Sequence, residues 1–180
     1  MNIYRLPNKL PGEKALKIMR KDFIVFFIKV LFFISLVALS AAFGFIMMFL
    51  FPLLIYQPMF YAIIVLSISA YSLFIWLFFF FIFIDYYLNV YIITSERIID
   101  IRQLGFFSRT ISEQRLYRIQ DVTSEVKGVL PTIFKYGNIY IQTAGEVERF
   151  FFEQIPNPDQ IRDYIIKLAE DSKSKHPGEV

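Results

Sequence analysis

Apolar and polar positions change their spacing twice along this chain. From Val30 to Ile84 there is no Asp, Glu, Lys or Arg, and most of those 55 positions are apolar. A helix needs about 20 such residues to cross a bilayer, so one helix is too few. Pro52 and Pro58 bracket a short stretch, and proline breaks a helix interior and biases the residue before it away from helix. The pattern therefore predicts two membrane spans, at about 30–51 and 59–84, joined by a tight turn over 52–58. After Asp85 the period shortens to that of strands. Strands are expected over Tyr86–Thr94, Arg97–Arg102, Phe107–Ser112, Tyr117–Val126, Gly137–Thr143 and Val147–Ile155, with a hairpin turn at Ala144-Gly145-Glu146. Past Pro156-Asn157-Pro158 the spacing lengthens again. Ile161, Tyr164, Ile165 and Leu168 predict one amphipathic helix over Asp159–Glu170, followed by a flexible tail over 172–180.

Charge gives the hairpin a direction. Residues 1–29 hold seven Lys and Arg against Glu13 and Asp22, and the 52–58 turn holds no base. By the positive-inside rule the N-terminus is cytoplasmic, the turn is outside and residues 85–180 return to the cytoplasm. The expected location is thus the inner, cytoplasmic membrane of the cell, as a multi-pass protein with both termini cytoplasmic. Small residues, Ser40, Ala41, Ala42 and Gly44 in the first span and Ala62, Ser67, Ser69 and Ala70 in the second, fall in the outer halves and predict close helix approach there. Phe, Leu and Trp76 crowd the inner halves. No ionisable side chain lies within either span, which argues against an ion or proton pathway. Over Glu13–Phe23, Lys14, Lys17 and Lys21 fall on one helical face and Ala15, Leu16, Met19 and Phe23 on the other. That is the pattern of a basic helix lying on an anionic leaflet, or simply a polar extension of the first span.

Composition narrows the chemistry. The chain has 180 residues, 56% of them apolar, with 22 Phe and only 19% charged. Cys is absent and His176 is the single His, which removes disulfides, thiolate metal sites and most His-based catalysis. A net charge of +3 is too small and scattered for nucleic-acid binding. There is no Gly-rich phosphate loop, H-E-x-x-H or G-x-S-x-G motif. Glu146 and Glu148 read as the solvated end of a hairpin, and Asp121, near Arg118, as half of a cross-strand ion pair. No catalytic residue, metal site or cofactor is expected.

One family carries these residues together. Tyr91-x-Ile93-Thr94-x-x-Arg97-Ile98-Ile99, then Ile119-Gln120-Asp121-Val122, then Tyr136-Gly137-Asn138-Ile139-x-Ile141-x-Thr143-Ala144-Gly145 resembles the bacterial pleckstrin-homology (PH) domain of the YdbS-like membrane proteins. A pair of transmembrane helices before the domain, and a segment like Leu10-Pro11-Gly12-Glu13 before those helices, are also similar. The resemblance implies a membrane protein of α+β class: a two-helix transmembrane hairpin followed, over 85–171, by a PH-like antiparallel β-barrel or sandwich capped by one C-terminal helix. It implies binding of lipid or protein and brings no catalytic motif.

A geometric argument selects candidate residues. The second span runs almost directly into the first strand, so in an up-and-down meander alternate turns point back at the bilayer. The near turns are the apolar ones. The first carries Leu104, Phe106 and Phe107 between Arg102 and Arg109. The second carries Leu130 and Phe134, with Val129 and Ile133, between Lys127 and Lys135. Apolar tips with basic flanks suit docking on an anionic leaflet; the alternative is that these side chains fold inward as core. Residues 85–180 hold twelve bases and fourteen acids, so any attraction to the bilayer must be local. The expected function is a non-enzymatic scaffolding or binding module at the inner leaflet, its partners the lipid bilayer and a second copy or a related membrane protein. The alternative is an accessory subunit of a membrane transport or envelope-stress/antimicrobial-defence complex.

Overall fold

A computed structural model of the chain describes residues 10–52, 57–143 and 150–175. The chain divides into two units. One, 24–84, is the apolar hairpin, and the other joins 1–23 to 85–180.

Among the described residues two long helices make up the hairpin unit, α1 (Phe23–Leu50, 28 residues) and α2 (Pro58–Leu88, 31 residues). Both are long and apolar enough to cross a membrane. At 1.5 Å per residue they run about 42 and 46 Å, beyond a hydrocarbon core of about 30 Å. They exceed the predicted spans because helix continues through Phe23–Lys29 and Asp85–Leu88, where polar residues do not break it. Val25 and Ile84 are the buried side chains in these helices; most of their other apolar side chains are exposed. The Ser35, Ser40 and Ser72 hydroxyls donate to the carbonyls of Phe32, Val37 and Ile68, so each polar group is satisfied within its own helix. Phe33 meets Phe79 at 5.5 Å between centroids, and Trp76 meets Phe79 edge-on. The predicted close approach at the small residues is not what forms. Ala41, Ala42, Ala62, Ser67, Ser69 and Ala70 are exposed, and a Cβ on Gly44 would meet nothing within 4 Å. The ring contact between Phe33 and Phe79 bridges the helices instead, and small residues help only where backbones already touch.

The second unit is a two-sheet sandwich with a helix. Strands β1 (Ala15–Met19), β2 (Val90–Thr94), β3 (Arg97–Leu104) and β4 (Ser108–Arg115) form one antiparallel sheet in that order. Strands β5 (Ile119–Glu125), β6 (Tyr136–Thr143) and β7 (Phe150–Pro156) form the other. The sandwich stands and the closed barrel does not: the sheets remain separate, each with its own edges. A six-residue helix, α3 (Val129–Phe134), sits between β5 and β6, and α4 (Pro158–Lys175) follows β7. Residues 144–149 and 176–180, including the expected hairpin turn, Glu146, Glu148 and His176, lie outside the described residues.

Burial explains the strand patterns. Tyr91, Ile93 and Ile98 face the core with Ile139, Ile141, Phe152 and Ile165, while Val90, Ile92, Ile99 and Ile101 form a second buried cluster. A sheet buried on both faces needs no alternation, hence the unbroken Val90–Ile93 run. Strand β6 alternates because its second face is only partly covered. Gly137 is required: a Cβ there would stand 2.5 Å from the Glu125 carbonyl oxygen and 3.1 Å from Pro158. Helix α4 lays Ile161, Ile165 and Ala169 on the core and continues five residues beyond the predicted end.

The expected helix over 13–23 is instead β1. Gly12, at φ +81°, turns the chain, and Ala15–Met19 pairs with β2 from Ala15↔Thr94 to Met19↔Tyr91. Sheet pairing overrides the modest helix preference of this segment. The 10–23 stretch is therefore part of the β unit, and both apolar helices are an insertion between neighbouring strands β1 and β2.

Candidate functional site

The β unit has one end at which the chain leaves at Phe23 and returns at Asp85. Lys21 organises it. Only 7% exposed, its Nζ lies 2.9 Å from Asp85 Oδ1 and 2.7 Å from Glu153 Oε2. Burial alone would push this ammonium down, but hydrogen bonds to Glu153 and Asp85 outweigh it and hold the pKa above the ordinary lysine value. Asn89 donates to Asp85 Oδ1 at 2.9 Å and accepts from the Gln103 backbone N–H at 2.7 Å. The Gln103 amide in turn donates to the carbonyls of Gly105 and Phe106. On the other side Asp22 N–H donates to the Gln154 carbonyl at 2.6 Å. Gln154 adopts φ +53° to present it, a conformation that costs energy without glycine. Asn138 holds that bulge by accepting the Gln154 N–H at 3.0 Å.

Both candidate turns belong to this end. The 104–107 turn is tied to it through Gln103, and the 127–135 connection through the Asn157 N–H, which donates to the Lys135 carbonyl at 2.8 Å. Their apolar side chains point out of the core. Phe107 is 101% exposed, Val129 75%, Ile133 64% and Leu104 60%; Leu130 and Phe134 are exposed to a smaller degree, and Phe106 is half-buried beside the Phe107 ring. Helix α3 buries none of its residues and is closed on itself, with Thr132 bonded to the Gly128 carbonyl and Lys135 in the left-handed region at its end. Of the flanking bases, Arg109, Lys127 and Lys135 are exposed. Arg102 is not available in the same way: its Nε and Nη2 hold Asp100 Oδ2 at 2.6 and 2.5 Å. Asp100 is 1% exposed, and burial raises its pKa despite that partner.

Two further polar groups were not legible from spacing. At the opposite end Arg97 grips Glu13 with both arms, Nε to Oε1 at 2.9 Å and Nη2 to Oε2 at 3.0 Å, and Nη1 reaches Glu113. Pairing across 84 residues leaves no local signal. Asp121 accepts from the Thr123 hydroxyl at 3.1 Å, in place of the expected ion pair. Lys17, Arg20, Lys21, Asp22 and Phe23 line a cleft of about 450 Å³ against Pro156, Asn157, Gln160 and Ile161. Among the described residues no group of three or more His, Cys, Asp or Glu is placed to hold a metal ion.

The sequence matches the family described as Bacterial PH domain over residues 23–169. The chain belongs to that family. PH domains are in general non-catalytic binding modules. Among solved structures the chain is similar to a DUF1696 family protein with a pleckstrin-homology domain from Shewanella loihica PV-4. The two share 16% identity at a TM-score of 0.34, over 46% of this chain and 68% of that one. No curated protein matches. The bacterial PH match bears out the resemblance read from the strand and turn motifs. In this member β1 precedes the apolar helices and the other six described strands follow them.

Proposed function

We propose that this bacterial PH domain protein is a non-enzymatic binding and scaffolding module, anchored in the cytoplasmic membrane by α1 and α2, whose β domain docks on the inner leaflet. The exposed tips at Leu104, Phe107, Leu130 and Phe134, with the half-buried Phe106 beside Phe107, insert among headgroups, while Arg109, Lys127 and Lys135 meet anionic lipid. The observation that carries the reading is that these apolar side chains stay out of the core at the end of the domain where Phe23 and Asp85 lead into the apolar helices. Each base near an anionic surface contributes about 1 kcal/mol, which suffices for a tethered domain because tethering raises the effective concentration. Arg102 serves the fold through Asp100 rather than the leaflet.

Trp76 is the single Trp, so Phe107→Trp in a Trp76→Phe background gives one reporter. In vesicles of brominated phosphatidylcholine with phosphatidylglycerol, the indole of this full-length Phe107→Trp variant is expected to be quenched, and to dequench in high salt. A Ser95→Trp reporter, at the turn after β2, is expected to remain bright. A Phe107→Trp reporter left unquenched in every vesicle would overturn the docking.

A further inference from the structure

We infer that β4 is the seam of a symmetric dimer: its outer edge pairs antiparallel with β4 of a second copy of this chain, about a two-fold axis at Ile111. This goes beyond the docking reading and does not depend on it. Strands β1, β4, β5 and β7 are the sheet edges. An open edge offers unpaired N–H and C=O groups, and edges are ordinarily blunted by bulges, lysine, proline or shortness. Strand β1 is five residues long, carries Lys17 and has its register broken between Ala15 and Lys17. The β5–β6 ladder is broken between Ile119 and Asp121, and the β6–β7 ladder between Gly137 and Ile139. Strand β4 has none of these devices. It pairs with β3 without a break over eight residues, from Leu104↔Ser108 to Arg97↔Arg115, and contains no Pro or Lys. Among the described residues no strand pairs with its other side.

The side chains of β4 select the occupant. Val90 lies opposite Ile101, and Ile101 opposite Ile111. Along this row exposure rises from 0% to 4% to 42%, so an apolar row buried inside the sheet ends at an open isoleucine. A seam centred on Ile111 sets Ile111 against Ile111 and continues that row into the second copy. It also sets Arg109 opposite Glu113, once on each side of the axis, and Thr110 opposite Ser112. Apolar, opposite-charge and hydroxyl pairs of this kind stabilise antiparallel strands. Neighbouring registers lose them. Centring on Thr110 sets Arg109 opposite Ile111, and centring on Ser112 sets Arg109 opposite Arg115 and Ile111 opposite Glu113. Glu113 already accepts from Arg97 Nη1, and a carboxylate has room for a second donor. Arg109 is exposed and has five N–H groups, so meeting Glu113 leaves donors for the leaflet. A two-fold interface requires one patch to be complementary to itself. That self-match points to a second copy rather than to a strand of another protein.

Because the chain lacks Cys, single cysteines read the seam. In the dimer two Ile111→Cys side chains lie directly opposite, about 4.5–5.5 Å between Cβ atoms, within reach of a disulfide. Two Ser108→Cys side chains lie six residues apart along the seam, about 20 Å, and are out of reach. The full chain in detergent, oxidised with copper phenanthroline, is expected to run at twice its mass for Ile111→Cys and at its own mass for Ser108→Cys. Both positions are exposed, and a cooperative melt of each variant establishes that it is folded. Arg109→Glu in the Ile111→Cys background turns both attractive pairs repulsive and is expected to slow cross-linking about tenfold; Arg109→Lys is expected to preserve it. Detergent free of anionic lipid keeps the leaflet contact of Arg109 out of the readout. A folded Ile111→Cys chain that stays a monomer overturns the inference. Equal cross-linking of Ile111→Cys and Ser108→Cys, or a rate unchanged by Arg109→Glu, overturns this seam and assigns any dimer to another contact.

Discussion

The single residues that matter most are charges placed where little water reaches them. Glu13, 1% exposed, meets Arg97 in a two-armed pair, and the Leu10 N–H adds a third hydrogen bond at 3.0 Å. Burial pushes the Glu13 carboxyl up, but the Arg97 hydrogen bonds, the Leu10 N–H and Thr94 outweigh it, so the pKa falls below the ordinary 4.5. A depressed acid stabilises the fold above its unfolded value and loses that contribution as pH falls through the folded one. Breaking one side of a buried pair costs about 3–5 kcal/mol. Glu13→Gln is therefore expected to lower the thermal unfolding temperature of the full chain in detergent at neutral pH. As pH falls below 4.5 the gap to the wild type narrows, because glutamine does not titrate. A gap constant across the acid range would remove the ion pair from this role. Lys21 has the opposite sign: its raised pKa gives a contribution present below the ordinary lysine value and lost as pH rises through the folded one. Neither residue was legible in the sequence. A Lys on the basic face of a segment leading to an apolar span reads as interfacial, and its two carboxylates come from distant segments, Asp85 and Glu153.

Elements were more legible where the pattern is long. Fifty-five uncharged positions with two prolines define two helices whatever else the chain does. The 3-4-3 spacing after Pro158 defines α4 equally well, because only one face of that helix is covered. The apolar tips were visible as composition, and the structure adds that they stay out of the core: α3 is too short to lay a face on either sheet and closes its own hydrogen bonds. The segment over 13–23 misled because lysines at i, i+3 and i+7 look helical, while the Leu16/Ile18 alternation that pairs with β2 spans only five residues. Helix direction remains a matter of charge alone. Because the chain lacks Cys, Gln57→Cys and Ser174→Cys report on opposite sides. A membrane-impermeant maleimide added to intact cells is expected to label the first and not the second; the reverse would invert the topology and place the docking surface on the outer leaflet.

At the scale of the whole molecule the decisive fact is the insertion. Two strands that pair residue for residue, Met19 with Tyr91 and Ile18 with Ile92, are separated by the entire apolar hairpin. The β domain therefore cannot be cut out at Asp85, although its motifs after that point look self-sufficient. Removing residues before 85 deletes β1, leaves the outer edge of β2 unpaired, strips Met19 from the core and leaves Arg97 without Glu13. It also removes Lys21, so Asp85 and Glu153 lose their common partner. The two chain ends at the insertion are close, since the Phe23 and Tyr86 rings lie 6.4 Å apart between centroids. A few flexible residues, at roughly 3.3–3.6 Å each when extended, can replace the hairpin. A chain of 10–23, a short Gly/Ser linker and 85–175 is expected to be soluble, with a strand-rich circular dichroism spectrum and a cooperative melt. A chain of 86–175 alone is expected to melt without cooperativity or to aggregate, since an uncovered strand is a template for pairing with other chains. A cooperative melt of the shorter chain matching the linked one would show that β1 is dispensable, and that the hairpin is an appendage rather than an insertion into the domain's own sheet.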